Sequence, residues 1–65
     1  MKTQDKIFAI SRLAQTLDRM KARMVLAQRD IEDDSPPSKE KMQYVFDSDM
    51  AQLERQYKAL LNLLE

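Results

Sequence analysis

The apolar residues of this chain fall into two heptad-spaced stripes separated by a single break. In the first stripe Ile10, Leu17, Met24 and Ile31 repeat every seven residues, and Leu13, Met20 and Ala27 stand three residues after the first three. Steps of three and four are the a/d signature of a helix that packs along one seam. Ile7, Ala14 and Val25 widen that stripe on one side. In the second stripe Met50, Tyr57 and Leu64 repeat at seven, interleaved with Phe46, Leu53 and Leu60 and flanked by Met42 and Leu61. Polarity nowhere alternates with a period of two for long, so no strand is predicted.

The break is Asp34-Ser35-Pro36-Pro37-Ser38, which holds both prolines. Proline drives the residue before it out of the helical region, and it is well tolerated in a first helical turn that Ser35 or Ser38 would cap. The pattern predicts a helix over about 4–32, a turn over about 33–38 and a second helix over about 38–64. Thr3 is expected to cap the first helix, with Asp5 in its first turn. Helices of roughly 27 residues are about 40 Å long. Equal lengths and a short connection make residues 1–65 one all-α unit, an antiparallel two-helix hairpin of coiled-coil character. Leu17, Met20, Phe46, Leu53, Tyr57 and Leu60 are expected to form its central seam.

Two helices share one seam and leave the rest of each helix wet. Chains this short often add a disulfide, a metal or a partner, and this one has no Cys. The hairpin is therefore expected to complete a bundle with a partner or a second copy. Val45 and Leu63, eighteen residues apart, lie on one line of the second helix, near Gln52, Gln56 and Ala59, and Asp49 is the only close charge. Val45, Gln52, Gln56, Ala59 and Leu63 are the expected partner-binding line. Phe8 and Leu26 are also eighteen apart, away from the first helix's seam, and with Arg12 and Arg19 between them they form a candidate second surface.

Composition narrows the chemistry. Eleven Lys and Arg balance eleven Asp and Glu, and His, Cys and Gly are absent. That excludes Ser-His or Cys-His catalysis, His/Cys zinc sites and glycine-rich phosphate loops. A two-helix hairpin has no cleft to desolvate its carboxylates, so neither catalytic residues, a metal nor a cofactor is expected, and the protein is read as non-enzymatic. The acidic run Asp30, Glu32, Asp33, Asp34 lacks the alternation and the Gly of a calcium loop. It reads as a solvated helix end whose charge opposes the helix dipole. Arg12, Arg19, Lys21, Arg23 and Arg29 stand against Asp18 alone. Such a face suits phosphate contacts, but net neutrality and the lack of an aromatic-lined basic face favour a solvated arginine face over nucleic-acid binding. The polar start Met1–Lys6 offers no signal-peptide core, and the longest apolar run, Met24-Val25-Leu26-Ala27, is far short of a membrane span. A cytoplasmic location is the expectation.

The second helix carries Gln43-Tyr44-Val45-Phe46, then Leu53-Glu54, then Leu60-Leu61 and Leu63-Leu64. With a one-residue shift between the first two pieces, this pattern and the chain length make the protein resemble the small hairpin co-chaperones of type III secretion needle subunits, the YscE/SsaE-type family. The turn is Pro-Pro where that family tends to use Gly. The resemblance implies a bacterial cytoplasmic protein that joins a helical-repeat chaperone and keeps a needle subunit from polymerising before export. Hairpin phosphatases of sporulation-type response regulators are similar in a smaller region, Asp47 to Leu53 and Tyr57, but their functional Asp falls on Ala51. The alternative function is a homodimeric four-helix-bundle regulator or an RNA-binding hairpin.

Overall fold

The computed structural model describes residues 2–64. They form two helices, α1 over Lys2–Glu32 and α2 over Lys39–Leu64, packed against each other as an all-α hairpin. Helix α1 begins ahead of the expected cap, so Thr3 lies inside it.

The turn is built without glycine. Asp34 takes the left-handed conformation with φ 62°, the position where a helix end most often uses Gly. The Ser35 amide donates to the Asp30 carbonyl at 2.8 Å and the Asp34 amide to the Ile31 carbonyl at 3.2 Å. Those two bonds are a Schellman motif, which satisfies carbonyls that the helix end leaves open. Pro36 follows and prevents the helix from resuming. Ser38 then starts α2. Its Oγ accepts a 3.1 Å hydrogen bond from the Lys41 amide, while its carbonyl accepts the first helical bond from the Met42 amide at 3.0 Å. That is an N-cap.

The Cα extents are 50 × 17 × 11 Å. The shortest is about the width of one helix, so the hairpin is a single layer with two broad faces open. Only Met20 and Ala27 are buried apolar residues among the described ones.

Four of the six residues expected at the central seam, Met20, Phe46, Leu53 and Leu60, lie between the helices. On α1, Met20 and Ala27 are buried and Leu13 is half-buried. Level with them on α2, Phe46, Leu53 and Leu60 are half-buried. The other two turn outward, together with further residues of the same stripes. Leu17 and Tyr57, expected at the centre, are each 52% exposed, and Ile10, Met24, Ile31 and Met50 are similarly open. The second line of α1 facing its neighbour is instead Ala9, Thr16 and Arg23. The reason is geometric. The apolar stripe of α1 spans more than 100° of the helix once Ile7, Ala14 and Val25 are counted, and one neighbouring helix covers only part of such an arc. The small Ala9 and the hydrogen-bonding Thr16 allow close approach on the polar side, which leaves the rest of the stripe uncovered.

Candidate functional site

Heptad spacing keeps Ile10, Leu17, Met24 and Ile31 in one row along α1, and Met50, Tyr57 and Leu64 in one row along α2 with Leu61 beside it. The two rows share one face of the hairpin. Leu17 and Leu13 border the same open concavity of about 740 Å³ as Met50, Leu53 and Tyr57. Asp47 and Glu54 stand on its α2 rim. All eight side chains of the two rows are large, apolar and exposed. A continuous apolar surface of this kind on a small chain marks an interaction site.

The opposite edge of the helix pair is closed by polar bonds. Thr16 Oγ1 donates to Gln56 Oε1 at 2.7 Å. Arg19 Nη2 donates to Gln52 Oε1 at 2.7 Å, and its Nε lies 3.4 Å from Asp49 Oδ1. Arg23 Nη1 donates to Asp49 Oδ2 at 2.9 Å. Asp49 is 3% exposed and Thr16 2%. Among the described residues no buried side-chain nitrogen or oxygen lacks a hydrogen-bond partner. Burial of a carboxylate is tolerable here because two guanidiniums hold it.

This ladder occupies most of the line expected to bind a partner. Gln52 and Gln56 are bonded to α1, and Val45 is half-buried beside it. Ala59 and Leu63 remain exposed, Leu63 marginally. The candidate second surface is split. Phe8 and Leu26 are more than half exposed and Arg12 is exposed, but Arg19 is tied to Gln52 and Asp49. Leu26 borders a smaller concavity of about 250 Å³ with Val45, Lys41 and Pro37 near the turn. Two of the five cations of the α1 basic face, Arg19 and Arg23, are thus drawn onto Asp49.

Sequence periodicity grouped the outward rows with the seam because both share the heptad. A second signal was present. Thr16 and Arg23 are seven apart, as are Asp49 and Gln56, and their donors and acceptors match in antiparallel order. Complementary polar residues at heptad positions of both helices place the polar edge between the helices and turn the apolar rows away from it.

Among the described residues no helix is long and apolar enough to cross a membrane, and no cluster of three or more carboxylate, His or Cys ligands is placed to hold a metal ion. In comparisons with protein-family profiles, curated proteins and solved structures, nothing matches this chain.

Proposed function

We propose that the protein is a non-enzymatic helical interaction module, active in the cytoplasm, whose apolar face is covered by helices of another chain. The observation that carries this reading is the pair of outward rows. Among the described residues two apolar side chains are buried, while a whole face of Ile, Leu, Met and Tyr is exposed. A domain is ordinarily two packed layers around a core, and this hairpin supplies one layer and half of the core. Chains of this kind often have no stable folded form apart from the assembly.

The chain has no cysteine, so single cysteines report on the face directly. Leu17→Cys places a thiol on it, and Ala22→Cys places one about 140° round the helix on an exposed position. In cells that naturally make the protein, the thiol at position 17 is expected to be protected from a permeant maleimide while the one at position 22 reacts fully. Equal labelling at both positions would end this reading.

The resemblance to the needle co-chaperones supplies a competing, narrower reading of what covers the face, a helical-repeat chaperone that a needle subunit would join. Co-expression with such a chaperone would then raise the melting temperature, because binding to the folded state adds apparent stability. No change in melting temperature would remove that narrower reading. The RNA-binding alternative is weaker on this geometry, since Asp49 neutralises Arg19 and Arg23.

A further inference from the structure

We infer that the chain which covers the apolar face is a second copy of this one, joined through a two-fold axis parallel to the helices into an antiparallel four-helix bundle. The inference rests on the interaction-module reading and names its partner.

Three features favour self-pairing. The first is area. Eight side chains, each about half exposed, offer on the order of 700 Å² on one copy, so self-pairing removes about 1,400 Å² in total, within the size of stable specific interfaces. The second is shape. The hairpin is one helix thick, and stacking an identical layer gives the four-helix cross-section in which each helix meets two antiparallel neighbours. The net charge of zero sets no bulk repulsion against it.

The third feature is the match between the two edges of the face. Thr16 pairs with Gln56 and Arg23 with Asp49, so seven residues up α1 correspond to seven residues down α2. A two-fold axis along the helices stacks α1 of one copy on α2 of the other and preserves these levels. The outer edge of the α1 row is Ile7, Ala14 and Lys21, with Val25 in line with Ile7, and that of α2 is Asp47, Glu54 and Leu61. In the stacked pair these edges interleave. Lys21 falls midway between Asp47 and Glu54 of the other copy, and Leu61 falls midway between Ile7 and Ala14. Lys21 meets carboxylates and Leu61 meets apolar side chains, twice by symmetry, as an isologous interface requires, while Val25 comes level with Asp47 at the margin. Glu54 also pairs within its own helix with Lys58 at 3.0 Å, an exposed contact weak enough to be shared.

Sedimentation equilibrium on the purified chain tests this. The expected result is twice the 7.7 kDa chain mass at tens of micromolar. Leu17→Lys and Met50→Lys should each weaken dimerisation at least 100-fold, while Ala22→Lys, on the far side of α1, leaves it within about twofold. Thermal melts of the unmodified chain give an independent reading. For a dimer Tm rises with protein concentration, and for a monomer it does not. A concentration-independent Tm with a monomeric mass overturns the inference, as does a dimer that survives both lysine variants. If the inference fails while the thiol at position 17 is still protected in cells, a foreign chain covers the face and the interaction-module reading stands. If protection is also absent, both fall.

Discussion

Arg23 donates a 2.9 Å hydrogen bond to the Asp49 carboxylate, whose side chain is only 5% exposed, from a position 26 residues away in the chain. Arg19 reaches the other oxygen of the same carboxylate. One buried anion thereby fixes the level of α1 against α2, and the arginines keep part of their surface in water. Buried ion pairs add little net stability over an apolar pair, but leaving one partner alone is costly.

From this comes a double-mutant cycle. Arg23→Met should destabilise the fold by about 1–3 kcal/mol, because Asp49 stays buried with only Arg19 to hold it. Adding Asp49→Leu should recover at least half of that loss. Urea titrations of the single and double variants measure the coupling, and strictly additive effects would show that the two side chains do not act together.

Asp34→Gly should raise stability by about 0.5–1 kcal/mol. The residue sits at φ 62°, a conformation that costs a side-chain-bearing residue energy and glycine almost none. The substitution also removes a negative charge from the C-terminal end of α1. Thermal melting decides it, and a lower Tm would mean that the Asp34 side chain contributes to the turn in some other way.

Ser38→Ala should cost about 1 kcal/mol through loss of the bond from the Lys41 amide. Amide hydrogen exchange is the sharper measurement. Protection should fall in the first turn of α2 and stay unchanged in the middle of α1.

Leu17→Ala separates a covered face from an open one. In a lone hairpin Leu17 is 52% exposed, and its truncation would cost less than about 1 kcal/mol. With the face covered, the expected loss is about 2–4 kcal/mol. Phe8→Ala, at a similarly exposed residue outside the two rows, should stay within about 1 kcal/mol. Equal small effects at both positions would show that nothing packs on Leu17.

The sequence by itself determined the elements and their order. Heptad spacing of apolar residues permits a helix and no strand, and a proline pair can sit only where the helices stop, so the hairpin followed from local rules. The cap of the second helix was legible only as Ser35 or Ser38, and the Lys41 amide's bond to the Ser38 Oγ decides for Ser38. What only the tertiary structure decided is the rotation of each helix about its own axis. Leu13, Met20 and Ala27 share a stripe with Ile10, Leu17 and Met24, and periodicity weighs both rows alike. The choice was made by long-range polar pairing. Thr16, Arg19 and Arg23 find Gln56, Gln52 and Asp49 across the pair, and a buried carboxylate is affordable only where those donors meet it. Satisfying that ladder turns each helix so that Met20 and Leu53 face inward while Leu17 and Tyr57 are left outside. Helical spacing fixes which residues lie on one side of a helix, and only the three-dimensional match of donors to acceptors fixes which side meets its neighbour.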